Sequence, residues 1–219
     1  MKVCTDACIL GAWFACGKQV HGKVLDLGSG SGLLMLMLAQ KKTVQIDGIE
    51  LDEASYTQSV ANIAASKWQS FLQVFLGDAR SFPFTTRYDF IITNPPFFED
   101  SLPASSSRAN TAKHDSGLKF TELIRALDNQ LNPSGSFGIL LPFNRINDFE
   151  KLAFLQGFHL QRSLMVRQTE NHAHFRTVRQ YGRIALPAPP ETQELTIQDS
   201  LGEYTPGFRA LMKDYYLHL

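Results

Sequence analysis

Asn94-Pro95-Pro96-Phe97-Phe98 follows an apolar run at 88–92 and puts an amide oxygen just past the end of a strand. Two consecutive prolines fix φ, push the residue before them into extended geometry and remove two backbone donors. The turn is therefore a rigid array of acceptors, the Asn94 amide oxygen and bare carbonyls, with aromatic rings beside it. Such an array can accept from an amino group. The ordinary alternative is a strand exit capped by Asn and Pro, a common loop composition.

A glycine-rich turn from strand to helix, Asp26-Leu27-Gly28-Ser29-Gly30-Ser31-Gly32, supplies a second chemical feature. Glycines let the backbone pass close to a ligand and adopt positive φ. The Gly-x-Gly-x-Gly spacing departs from the dinucleotide pattern Gly-x-Gly-x-x-Gly. Asp26, at the strand end, suits a cationic or amino-bearing ligand better than a pyrophosphate. Glu50 ends the second strand, where an acid can take both ribose hydroxyls. Asp78, after Gly77 at the end of the third, can accept from the exocyclic amino group of an adenine. Each acid alone reads as a solvated strand end. Asp26, Glu50, Asp78 and Asn94 at four successive strand ends do not read as coincidence.

The elements that must position these residues alternate. Residues 3–16 read as a short apolar helix or ordered segment, and 24–27, 45–51, 71–76 and 88–93 as four strands. Helices are expected at 33–41, rich in strong helix formers, and at 53–67, with Asp52 as N-cap. A long polar loop occupies 99–116. Helical spacing resumes at 118–131, followed by a strand at 136–142 and a helix at 147–156. Strands at 159–167 and 176–186 share a short connection and so run antiparallel to each other. Pro187-Ala188-Pro189-Pro190 breaks the pattern before a surface strand and an aromatic helix near 208–216. The expected fold is α/β, a Rossmann-like seven-stranded, mostly parallel sheet with helices on both faces and an antiparallel edge strand. One domain spans 1–219: an N-terminal segment, 1–21, closing over substrate and cofactor, a core, 22–186, and a tail, 187–219, packed on the core.

A chain of 219 residues, 44% hydrophobic and 19% charged, has the composition of one ordinary globular domain. Its formal net charge is zero, so a polyanion must be met by a local patch. Cys4, Cys8 and Cys16 form an odd set without paired spacing, which argues against a disulfide framework. They have no companion Cys or His pair, and no metal is expected. Residues 7–15 are apolar enough for a leader, but Asp6 interrupts the run and only Lys2 supplies a basic flank. No apolar stretch is long enough to span a membrane. The expectation is a cytoplasmic protein with no membrane partner.

Over residues 22–186 the pattern resembles the class I S-adenosylmethionine-dependent methyltransferases. The Asn-Pro-Pro-Phe stretch narrows the resemblance to enzymes that methylate an amino nitrogen conjugated to a π system, such as adenine N6 or a glutamine amide. A closer resemblance covers nearly the whole chain. Lys2-Val3-Cys4-Thr5-Asp6-Ala7-Cys8-Ile9-Leu10-Gly11-Ala12-Trp13 is similar to the opening motif of the bacterial tRNA1(Val) adenine-37 N6-methyltransferases. So are Asn94-Pro95-Pro96-Phe97-Phe98 with Ser101-Leu102, and Arg108 through Ala112-Lys113-His114 to Leu118.

The resemblance implies S-adenosyl-L-methionine as cofactor, held by Thr5, Asp26, Gly28, Ser29, Gly30, Glu50, Leu51, Asp78, Ala79 and Asn94. It implies a catalytic turn of Asn94, Pro95, Pro96 and Phe97. There the Asn94 oxygen and the Pro95 carbonyl accept both N–H groups and hold the nitrogen lone pair in line with the methyl. Phe97 stacks on the flipped base and Phe98 walls the pocket. The implied partner is tRNA, through its anticodon stem-loop, met by Phe98, Arg108, Lys113, His114, Arg167 and Arg176.

Two basic clusters suit that partner. Arg162, Arg167, Arg176, Arg179 and Arg183, with His172 and His174, crowd the last two strands, Glu170 being the only acid among them in sequence. Arg108, Lys113, His114 and Lys119 lie in and after the long loop. Both read as phosphate contacts, or else as solvated basic faces. The same turn also suits a protein glutamine, or adenine in rRNA or DNA. Enzymes of those kinds resemble this core with an added N-terminal helical or target-recognition domain, which is not visible here. A non-catalytic nucleotide-binding module would keep the glycine loop but needs no Asn94 turn.

Overall fold

Apolar runs that are continuous and not alternating demand strands covered on both faces. In the structure, a computed structural model that describes residues 4–95 and 119–219, two such strands form the centre. They are β1 (Lys23–Leu27) and β4 (Tyr88–Thr93), in which Val24, Leu25, Phe90, Ile91 and Ile92 are fully buried. Around them lie β2 (Gln45–Glu50), β3 (Leu72–Leu76), β5 (Leu131–Pro142), β6 (His159–Arg167), β7 (Arg176–Gly182) and β8 (Glu191–Thr196). Among the described residues they make one sheet of eight strands in the order β3-β2-β1-β4-β5-β7-β6-β8. Neighbours are parallel except at β7, which runs antiparallel to both β5 and β6.

The mostly parallel Rossmann-like sheet is the expected one, but its far side differs. The expectation was seven strands with an antiparallel strand at the edge. The antiparallel β7 lies inside the sheet, between β5 and β6, and an eighth strand, β8, comes from beyond the proline run, pairs in parallel with β6 and takes the edge. Four of the six β8 residues are exposed. It therefore carries no alternating hydrophobic pattern, and its pairing with β6 is what defines it. β5 also begins at Leu131, directly after a helix, and runs through Pro133 to its partner strands.

One face is covered by α1 (Thr5–Cys16), α2 (Leu33–Ala39), α3 (Glu53–Ala64) and α6 (Pro206–Met212), the other by α4 (Phe120–Gln130) and α5 (Ile146–Leu155). Asp52 accepts from the Ser55 amide at 2.8 Å and starts α3 as an N-cap should. Thr205 caps α6 in the same way, accepting from the Phe208 amide at 3.2 Å. Phe208 and Met212 join the core that α1 occupies, and the Tyr216 hydroxyl reaches Thr5 Oγ1 at 3.4 Å.

Residues Ala7 to Ala15 of α1 are all buried, so this helix is a wedge inside the protein and not a surface element. Its seat on the sheet is made by Gly138 of β5. A Cβ there would meet two atoms of the Phe14 ring at 2.3 and 2.4 Å, and Phe14 is fully buried. We expect Gly138→Ala to destabilise the protein by about 1–3 kcal/mol, the usual cost of overpacking a tight core. Urea unfolding would measure it, and an unchanged midpoint would show that the helix can shift without loss.

Candidate active site

The strand order reverses between β1 and β4, and open α/β sheets bind ligands outside the carboxyl ends of the strands at such a point. Asp26 pairs with Ile92, two residues before Asn94, and Glu50 pairs with Leu76, two residues before Asp78. Asp78, Glu50, Asp26 and Asn94 therefore follow one another along a single edge of the sheet. With strands about 4.8 Å apart they span on the order of 15 Å. The Thr93 hydroxyl donates to the Leu27 carbonyl at 2.8 Å and pins the end of β4 to the end of β1.

Between them runs the glycine loop. Gly28, Gly30 and Gly32 have φ of 80°, 55° and 79°, values that side chains resist. A Cβ on Gly28 would meet no atom within 4 Å, so the loop faces open space there. The amides of Gly28 and Ser29 both donate to the Ile49 carbonyl at 3.0 Å. Glu50 locks the loop from the other side. Its Oε2 accepts from the Gly30 amide at 2.7 Å and its Oε1 from the Asp52 amide at 2.9 Å. Each carboxylate oxygen keeps acceptor capacity beyond one amide, so hydroxyl donors can still be taken. Leu51, next in the chain, is 65% exposed, an apolar side chain left at the rim of this edge.

Asp26 is fully buried, and neither carboxylate oxygen has a hydrogen-bond partner of good geometry. Burial pushes its pKa up to about 8, the charge of Glu50 adds to the rise, and the Met35 backbone amide offsets a part. The buried Ser29 hydroxyl is also unpartnered. Orphaned buried acceptors are costly in a folded protein and call for donors. A cationic amine fits that demand, and the glycine loop leaves room for it.

Asp78 departs from the picture of an open acceptor. Its carboxylate takes a two-pronged contact from Arg80, with Nε at 2.9 Å and Nη2 at 2.6 Å, and its Oδ1 also caps the Arg80 amide at 2.9 Å. The Arg80 side chain holds the Asp78 pKa below the usual carboxylate range. Arg80 reaches on to Glu122 of α4 at 3.7 Å. A donor bound at Asp78 must share its oxygens with Arg80 or displace it. No sequence pattern flags Arg80. Ala79, between the two, is half-buried against the core under α4.

Asn94 is half-buried and Pro95 buried at the strand exit. Pro96, Phe97, Phe98, Arg108, Lys113 and His114 lie outside the described residues. Thr5 starts α1, whose next residue, Asp6, pairs with Arg176 at 2.9 Å. Arg176 opens β7 opposite Pro142, the last residue of β5, so this pair brings Thr5 to the carboxyl edge of the sheet.

The arginine cluster of the last strands is not an open basic patch. Arg162 pairs with Glu191 at 2.9 Å, Arg167 with Glu194 at 3.7 Å, Arg179 with Glu150 at 2.5 Å, and Arg183 with Asp128. These acids come from α4, α5 and β8, away from the arginines in sequence. Among the described residues no group of three His, Cys, Asp or Glu could hold a metal ion, and no helix is long and apolar enough to cross a membrane.

Residues 15–141 match the family described as Methyltransferase small domain. A tRNA1(Val) (adenine(37)-N6)-methyltransferase of Dyadobacter fermentans is 36% identical over 220 residues, covering 99% of this chain and 91% of that protein. A solved structure described as a predicted O-methyltransferase from Agrobacterium tumefaciens has a TM-score of 0.70 at 12% identity, over 95% of this chain and 96% of that one. The glycopeptide N-methyltransferase MtfA complexed with (S)-adenosyl-L-methionine has a TM-score of 0.61 at 11% identity, over 84% of this chain and 90% of that one. At those identities the structural likenesses establish the fold. The sequence match over nearly the full length goes further: the chain belongs to the tRNA1(Val) (adenine(37)-N6)-methyltransferase family.

Proposed function

We propose that this protein transfers the methyl group of S-adenosyl-L-methionine to N6 of adenine 37 in tRNA1(Val), reading the substrate through its anticodon stem-loop. The observation that carries the reading is the alignment of Asp78, Glu50, Asp26 and Asn94 on one carboxyl edge, with the glycine loop between. The cofactor supplies an electrophilic methyl on a sulfonium centre. The residues of the chain bind, orient and exclude. Asp26 meets the cofactor's ammonium group, Glu50 its ribose hydroxyls, and Asp78 its adenine amino group once Arg80 yields. Gly28, Ser29 and Gly30 let its backbone side approach, while Leu51 and Ala79 supply apolar walls and Thr5 closes the edge from α1.

The amino nitrogen of adenine is a poor nucleophile because its lone pair is delocalised into the ring. Asn94 and the Pro95 carbonyl accept its two N–H groups and draw the nitrogen toward tetrahedral geometry, in line with the methyl. Pro96 stiffens the turn, Phe97 stacks on the flipped base and Phe98 walls it. Phosphates are met by Arg108, Lys113 and His114, and by Arg167, whose partner Glu194 is half-exposed at 49%. Arg176 holds α1 through Asp6 as its first task. The reading carries with it a cytoplasmic location, where tRNA is modified.

The test is radiolabelled methyl transfer onto total tRNA, total DNA and release-factor protein, followed by nucleoside digestion. N6-methyladenosine in tRNA alone is expected; label in protein or DNA would move the reading to another amino nitrogen. Binding should respond to salt as well. With three or more phosphates neutralised, tRNA affinity falls about ten-fold or more between roughly 50 and 200 mM salt. A flat response would remove RNA from the substrate list.

A further inference from the structure

We propose that Phe143, set against the tilted ring of His174, is a platform for a nucleobase that flanks the target adenine, an inference that rests on the tRNA reading above. Ile139 of β5 pairs with Thr93, and β5 continues to Pro142. Phe143 thus emerges beyond the carboxyl edge of the sheet, on the strand next to the one that carries Asn94. Its amide donates to the Phe175 carbonyl at 3.0 Å, which anchors the backbone. Its ring lies 5.3 Å from the His174 ring, tilted by 30°.

What sets Phe143 apart is what it does not pack against. It is half-buried, yet among the described residues it belongs to neither apolar core, whereas its neighbours Phe120 and Phe175 each pack on one. It is a phenylalanine held by its backbone beside the reaction edge, with the His174 ring against it. Arg145, two residues on, stands 5.1 Å from the Phe120 ring with 42% of its side chain exposed, a cation at the same rim, 3.2 Å from Asp148.

Extracting one adenine from a stacked loop exposes the faces of its neighbours. An aromatic surface there replaces the lost stack, and every base has a π-face for it. The platform therefore acts on RNA affinity and leaves the methyl-transfer geometry to Asn94.

The test compares wild type, Phe143→Ala and Phe143→Trp on an anticodon stem-loop, with the affinity for S-adenosylhomocysteine as a folding control. Phe143→Ala should raise KM for RNA about ten-fold or more, the effect of losing one stacked base. The rate at saturation and the S-adenosylhomocysteine affinity should stay within about two-fold, and Phe143→Trp should restore KM. An abasic stem-loop, lacking the base 5′ or 3′ of the target, should reproduce the loss at one of these positions and cancel the effect of Phe143→Ala there. An unchanged KM, an equal loss on every abasic RNA, or a fall in S-adenosylhomocysteine affinity overturns the platform while wild-type methylation of tRNA still stands. Absence of tRNA methylation by wild type overturns the reading beneath it.

Discussion

Asn94→Ala lowers methyl transfer by about 10²–10³-fold, the loss typical when one preorganised stabilising contact is removed. The side chain is half-buried at a strand exit held by a buried proline, so its loss neither opens the core nor frees the backbone. Affinity for the cofactor should stay within a few-fold, because Asp26, Glu50 and Asp78 stand on the three other strand ends. The defect belongs to the reacting nitrogen. Two groups must accept its N–H bonds to localise the lone pair, and with one acceptor gone the nitrogen relaxes to the planar, unreactive form. Single-turnover assays with preformed complex separate this from binding. A variant that keeps more than about a tenth of the rate would show that Asn94 is not the acceptor.

Asp26→Asn is expected to make the free protein more stable and the ligand-bound protein weaker. The folded pKa of Asp26 is raised from 3.8 to about 8 by burial. Between those two values the native state holds a proton that the unfolded chain has lost, so stability falls as pH rises through that window and levels off above it. At neutral pH the accumulated penalty is on the order of 4 kcal/mol, at 1.36 kcal/mol per pH unit. An asparagine avoids the charge but leaves an unpartnered amide, which returns about 1–3 kcal/mol. The thermal midpoint should therefore rise by about 2–4 °C for each kcal/mol retained, and the gain should fade toward pH 4. Affinity for S-adenosylhomocysteine should fall about ten- to hundred-fold with the loss of a charge-assisted bond to the ammonium group. In wild type the same affinity should climb as pH rises toward 8, since a cation binds the ionised form. A variant that is less stable at neutral pH, or that binds unchanged, contradicts the assigned role.

The strand ends were legible because the information is local. A glycine loop after an apolar strand, and an acid at the end of each of the next two, need only the order of residues along the chain. Asp52 as a cap and the apolar run of α1 are equally local. That the surface strand after the proline run joins the main sheet was not legible, because Glu191, Thr192, Gln193 and Glu194 are polar and exposed, and what ties them to the sheet is pairing with Arg162 to Met165. The pairing of the arginines on the last strands was not legible for the same reason. Glu170 is their only acid in sequence, yet Asp6, Asp128, Glu150, Glu191 and Glu194 arrive from other elements and pair the arginines one by one.

By itself the sequence determined the kind of chemistry: an amide turn for an amino nitrogen, acids for hydroxyls and amines, and a parallel sheet to set them out. It did so because backbone geometry near glycine and proline, and burial of continuous apolar runs, depend on near neighbours. Only the tertiary structure decided which acceptors are available. Asp26 is orphaned, Glu50 is half-engaged by the glycine loop, and Asp78 is already gripped by Arg80. A polar group's reactivity depends on everything within hydrogen-bonding distance, and that neighbourhood is assembled from segments that the order of residues keeps apart.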